Sequence, residues 1–237
     1  MRKTFIYIKF AVKAIIRHPK PNTISSIIKY AGSWFHYLQP ERNSLSERMC
    51  WVCFSAIEQI KKIVKPDMTI FEYGSGGSTL FWASRVKKVI SIEHDKPWHE
   101  KMQHQLSDLN INNIAYFLIE PEFDTNFAKK DPANPLDYVS ADEAYTEKHF
   151  EHYVKKIDEF PDNFFDIVVV DGRARPSCIH HARPKLKKTG YLIIDNTDRE
   201  HYLPSVQFEK QNWKRWDYYG PVPFMYNFSQ TSILQKI

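Results

Sequence analysis

From residue 69 onward, short apolar runs alternate with amphipathic stretches. Thr69 to Tyr73 predicts a strand, Ser78 to Arg85 a helix, Lys88 to Ile92 a second strand ending in Glu93, and Trp98 to Leu109 a helix. Ile114 to Ile119 predicts a third strand and Glu143 to Ile157 a helix. Phe165 to Val170 is a nearly continuous apolar run, the pattern of a strand buried on both faces. Cys178 to Lys187 predicts a helix and Tyr191 to Ile194 a further buried strand. Trp213 to Gln235 holds two strand-like stretches around Gly220-Pro221-Val222-Pro223, which reads as an antiparallel hairpin. Strand–helix alternation with short buried strands predicts an α/β fold with a doubly wound, mostly parallel sheet.

The chain before residue 69 is patterned differently. Lys9, Lys13 and Arg17 recur every four residues and share one helical face, while Phe5, Ile8, Val12, Ile15 and Ile16 fall mainly on another. Pro19 and Pro21 stop that helix. Residues 22–44 carry Trp34, Phe35 and Tyr37 without a clear period and read as a linker or cover segment. Ser44 and Glu47 match a capping box, predicting a helix striped by Met49, Cys53, Ile57, Ile60 and Val64. The Cys50-Trp51-Val52-Cys53 match falls inside that helix and reads as buried helix face rather than a redox or zinc site. The expected division is a basic leader, 1–44, and a main domain, 45–237.

Composition narrows the class. The 237 residues are 43% hydrophobic and 26% charged, enough for a core. No stretch is apolar for the ~18 residues a membrane-spanning helix needs. Three cysteines are too few for a disulfide framework, and a cytoplasmic protein is expected. Residues 1–40 contain seven of the 33 Lys and Arg and no acid, so 26 basic residues face all 28 acids in the rest. A near-neutral body argues against nucleic acid as a partner. The leader admits two roles: a helix packed on the body or a partner, or peripheral contact of residues 1–20 with the inner face of an anionic membrane.

Glycine is scarce, yet three of the seven stand at 74, 76 and 77, between a predicted strand and a helix. In doubly wound sheets ligands bind at the carboxyl ends of strands. Gly74 and Gly76 would let the loop turn tightly and a ligand approach the backbone, with amides of the next helix start facing the site. Glu93 follows Gly74 by 19 residues, where a carboxylate accepts both ribose hydroxyls. A nucleoside-type ligand follows. The third position of a dinucleotide fingerprint is Thr79 rather than Gly or Ala, which counts against NAD.

Glu72-x-Gly74-x-Gly76, with Glu93 ending the second strand and an antiparallel pair ending the chain, resembles the class I S-adenosylmethionine (SAM)-dependent methyltransferases over about residues 67–235. The resemblance implies a seven-stranded Rossmann-like sheet with SAM across the strand ends. It implies Glu72 near the methionine end, Gly74, Ser75, Gly76, Ser78 and Thr79 around it, Glu93 on the ribose, His94 bordering the adenine, and Asp171 in the same site. Asp171, Asp195 and Asn196 also match the positions at which metal-dependent O-methyltransferases hold a divalent cation, Mg²⁺ or Ca²⁺. Where those enzymes have a Lys after the first Asp, this chain has Arg173 and Arg175. Arginine is a poor base but binds anions bidentately, so the pair suits an anionic acceptor. Asp171 and Arg173 are the expected catalytic residues, with His180 or His181 as further candidate bases. Residues 120–142 are a candidate lid over the acceptor. The expected reaction is methyl transfer to a hydroxyl or amine of a small molecule or glycan. The alternatives are an NAD-type oxidoreductase and a non-catalytic membrane- or partner-binding protein.

Overall fold

The computed structural model describes residues 2–203, 208 and 211–237. The chain runs through α1 (Arg2–Arg17), α2 (Pro21–Tyr37), α3 (Phe54–Ile63), β1 (Thr69–Tyr73), α4 (Gly77–Ala83), β2 (Lys88–Glu93), α5 (Lys96–Asp108) and β3 (Ile114–Leu118). Two-residue strands β4 (Glu122–Phe123) and β5 (Lys148–His149) follow, then α6 (Glu151–Lys155), β6 (Phe165–Val170), α7 (Arg175–Lys185), β7 (Leu186–Asp195), β8 (Trp213–Pro221) and β9 (Phe228–Lys236).

Seven strands form one sheet in the order β3-β2-β1-β6-β7-β9-β8. The first five are parallel; β9 runs antiparallel to both β7 and β8. The chain winds outward from β1 through β2 to β3, then returns to lay β6 on the other side of β1. The gap between the ends of β1 and β6 is thus the topological switch point, where such sheets bind ligands. Tyr73 lies level with Ile92 and Val170, so β1, β2 and β6 end together at this crevice.

Alternation along each strand feeds two cores. Ile70, Ile167, Val169 and Ile233 face a cluster with Trp34, Ile57, Ile60 and Trp82. Phe71, Val168, Val170 and Leu234 face a second, with Tyr153, Ile157 and Ile179. The expected parallel sheet and terminal hairpin are both present.

Several expectations fail locally. The segment expected as a linker forms α2, which buries Thr23, Ser26, Ile27 and Trp34. The leader helix forms, but packs through Tyr7 and Ala14, leaving Phe5, Ile8, Val12, Ile15 and Ile16 exposed. Tyr7 touches the rings of Trp34, Phe35 and Phe228 and donates its hydroxyl to Ile27 O. Ser44 and Glu47 cap no helix: Asn43 Oδ1 accepts from the amides of Leu45 and Ser46, Glu47 pairs with Arg42, and α3 begins only at Phe54. Cys50 and Cys53 are buried free thiols just ahead of α3. The helix expected over Glu143 to Ile157 is a 3₁₀ turn (Glu143–Tyr145), β5, the short α6 and a second 3₁₀ turn.

The connection between β8 and β9 ties the amino-terminal helices to the sheet. Phe224 packs edge-on to Tyr37, and Tyr226 edge-on to Trp34.

Candidate active site

Strand β1 ends in a turn that only glycine suits. Gly74 has φ +88, and a Cβ there would lie 2.9 Å from Gly172 Cα. The β1 and β6 loops therefore meet backbone to backbone. Gly77 cannot carry a side chain either, because its Cβ would collide with the Ser44 carbonyl. Gly76 has an extended φ, and a Cβ there would make only ordinary contact with the Trp98 ring at 3.8 Å, so the tight turn expected of Gly74 and Gly76 falls to Gly74.

Glu72 lies wholly buried beneath this loop. Its Oε2 accepts from Thr79 Oγ1 (2.6 Å) and Ser91 Oγ (2.7 Å), and its Oε1 from Trp82 Nε1 (3.0 Å). Thr79 in turn accepts from the Gly76 amide. Burial pushes the Glu72 carboxyl up to about 7 against these donors. Glu72 and Thr79 hold the loop from behind and do not line the cleft, contrary to the expectation of direct cofactor contact.

Glu93 is buried too, but at the cleft wall. Its Oε2 accepts from Ser75 N (3.0 Å) and Ser75 Oγ (2.7 Å), and its Oε1 from the amides of His94 and Asp95. His94 Nδ1 stands 2.8 Å from Oε1. Burial opposes the charge, but His94, the Asp95 amide and Ser75 together hold the carboxyl at about 2. An ionised carboxylate thus faces the cleft at neutral pH.

The cleft above the strand ends encloses about 640 Å³. Gly74, Ser75, Gly76, Ser78, Glu93, His94, Asp171, Arg173, Asp195 and Asn196 all line it, so most of the expected residues are brought together. Several others were missed. Trp98, in the first turn of α5, donates its indole N–H to Ser75 O at 3.0 Å. Tyr145 bonds His94 Nε2 at 2.8 Å and lies under the Arg173 guanidinium. On the far wall, Asn227 Oδ1 and Ser229 Oγ are buried with no partner among the described residues, as polar groups awaiting a bound molecule would be. The position of Trp98 just past Glu93 was a legible signal; nothing local marked the others.

Asp171 and Asp195 are organised by Arg175. This buried guanidinium donates to the backbone carbonyls of Gly172, Asp195 and Asp171, and to Asp171 Oδ1 at 3.0 Å. Asp195 Oδ1 accepts from Thr231 Oγ1 (2.6 Å) and Oδ2 from Asn196 Nδ2 (2.7 Å). Burial, then the Asp171 carboxyl, pushes Asp195 up to about 7; burial also raises Asp171 against the pull of Arg175.

The expected divalent-cation site does not fit this arrangement. The Asn196 amide turns its donor toward Asp195, and Arg175 already supplies a fixed positive charge beside Asp171. Among the described residues no three His, Cys, Asp or Glu side chains converge as a metal site. Arg175 is likewise not free to bind an anion. Arg173 lines the cleft while paired with Asp142 at 2.8 Å. His180 and His181 lie on α7 outside the cleft, His181 bonded to Asp158, so neither can serve as a base there. Residues 120–142 contribute nothing to the cleft lining; Tyr145, just beyond, does.

No protein-family model matches the sequence, and no curated protein matches it. Solved structures do. An rRNA methylase from Streptococcus thermophilus superposes with a TM-score of 0.51 at 15% identity, over 76% of this chain and 93% of that one. A methyltransferase from Geobacter sulfurreducens gives 0.54 at 11% identity, over 88% and 96%. A Streptococcus mutans protein proposed to be a methyltransferase, solved with SAH, gives 0.51 at 14% identity, over 76% and 97%. At such identities the likeness is one of architecture, and the chain has the Rossmann-like methyltransferase fold.

Proposed function

We propose that this chain is a SAM-dependent methyltransferase acting on a hydroxyl, or an amine, of a small molecule or glycan. The observation that carries this is Glu93, a buried and ionised carboxylate beside the Gly74 turn, at the switch point of a methyltransferase-type sheet. The residues present fit the cofactor. Glu93 would face its ribose hydroxyls, the Gly74 to Gly76 backbone would border its methionine end, and His94 and Trp98 would border its adenine. When bound, SAM supplies a methyl activated on a sulfonium, and the enzyme's task is chiefly positioning. Asp171 and Asp195 supply the proton acceptor; a carboxyl near 7 is matched to that role. Arg173 stands where it can hold an anionic group on the acceptor, and Asn227 and Ser229 offer it hydrogen bonds. No step is routed through a metal. The Streptococcus thermophilus protein is an rRNA methylase, but the near-neutral body here supports a smaller acceptor.

Calorimetric titration of SAM, S-adenosylhomocysteine and NAD tests the assignment. Micromolar binding of the first two is expected, weakened about tenfold or more by Glu93→Ala, since a hydrogen bond to a charged group contributes ~1.5–3 kcal/mol. Binding of neither to folded protein would overturn it, and binding of NAD instead would favour hydride transfer. SAM binding without turnover on hydroxyl or amine acceptors would indicate a binding protein.

A further inference from the structure

The helix α1 has two apolar faces, and the body uses only one. Tyr7 and Ala14 are buried against α2 and the sheet, with Phe10 and Ala11 packed partly beside them. At 100° per residue, Phe5, Ile8, Val12, Ile15 and Ile16 occupy a separate arc on the far side. They are not grazing contacts: Phe5 is 72% exposed and Ile16 74%. Five large apolar side chains within 16 residues form a continuous stripe, whereas single exposed apolar residues would need no explanation. Lys9, Lys13 and Arg17 are exposed and form a basic row along one side, between the stripe and the buried face. Residues 1–40 contain no acid, so no neighbouring carboxylate in the leader neutralises them. No helix among the described residues is long and apolar enough to cross a membrane.

The geometry points to α1 lying in the surface of an anionic lipid bilayer, with its outward stripe in the acyl boundary and its basic row on the headgroups. An apolar face flanked by lysine and arginine on a helix too polar to span is the composition such binding requires. Charge selects the occupant: a leader with seven Lys and Arg and no acid suits an anionic surface, which a second copy of the same leader is not. This inference does not depend on the identity of the methyl acceptor.

The full-length protein is sedimented with vesicles of phosphatidylcholine alone and of phosphatidylcholine mixed with phosphatidylglycerol. Binding is expected to the anionic vesicles and to weaken as salt rises from 0.05 to 0.5 M. Ile16→Ser and Phe5→Ser each weaken it by about tenfold, the factor that ~1.4 kcal/mol of lost apolar burial produces. Lys9→Gln with Lys13→Gln lowers it by a similar factor. These positions face solvent, so unchanged melting temperatures confirm that the fold is intact. Absence of binding to anionic vesicles at low salt would overturn the inference. So would binding indifferent to both sets of variants, or a dimer that dissociates on Ile8→Asp while vesicles are ignored.

Discussion

Replacing Glu72 with Gln isolates the effect of a buried carboxyl on the stability of the glycine loop. Burial raises the Glu72 pKa from 4.5 to about 7. Well below pH 4.5 the group is protonated in the folded and unfolded chain alike. Between 4.5 and 7 the unfolded chain sheds the proton while the folded chain keeps it, so stability falls as pH rises. At ~1.4 kcal/mol per pH unit, the difference amounts to about 3 kcal/mol, fully lost by pH 8. Gln cannot titrate and escapes that decline. It carries a pH-independent cost instead, because its amide nitrogen must replace one of two accepting oxygens, and the lesser loss is the one that accepts from Trp82 Nε1 rather than from Thr79 and Ser91. One buried donor left without an acceptor costs ~1–3 kcal/mol. Glu72→Gln is therefore the weaker protein at pH 5 and matches or overtakes the wild type at pH 8. Urea unfolding followed by tryptophan fluorescence at pH 5, 6, 7 and 8 measures the gap, which should close by about 2.5 kcal/mol over that range, the first part of the loss falling below pH 5. Stability curves that stay parallel, within about 1 kcal/mol, would refute the burial argument.

Gly74→Ala puts a Cβ at a left-handed φ and against Gly172, and should destabilise by about 2–4 kcal/mol. An unchanged urea midpoint would mean the two loops do not meet as described. Arg175→Lys keeps the charge but cannot reach three carbonyls and Asp171 together, so a loss of about 3–5 kcal/mol is expected in thermal unfolding. Full stability in that variant would deny Arg175 its organising role. Cys50, Cys53 and Cys178 are buried and their thiols raised by burial, so a colorimetric disulfide reagent should titrate none until denaturant is added. Prompt labelling of the native chain would show that the segment before α3 opens.

What could be read from the residues was the part in which local pattern and burial agree. Thr69 to Glu93 shows a strand, a glycine turn, a helix and a strand ending in an acid, and each feature stands next to the one it serves. Phe165 to Val170 is buried on both faces and needs no context. The pattern of α2 misleads because the helix buries Thr23 and Ser26 while exposing Ile24 and Ile28, so hydrophobicity no longer marks its inner face. The stripe through Met49 and Cys53 continues into α3, but both residues precede the helix, Cys53 being buried by its contact with Thr231 and Tyr218 of the sheet, and periodicity cannot distinguish the two. The fates of Asp171, Asp195 and Arg175 depend on partners up to 36 residues away, such as Thr231. A motif names the residues but not which of their atoms are already engaged.

The connection between β8 and β9 faces two ways. Phe224 and Tyr226 rest on the rings of α2, while Val222, Met225 and Asn227 form one wall of the cleft. The amino-terminal helices therefore serve as a mould in which that wall is cast. Trimming them would remove the support of that wall, while the glycine loop keeps Glu72 beneath it. The shape of that wall is therefore set by residues far from it in sequence, Tyr37 and Trp34 among them.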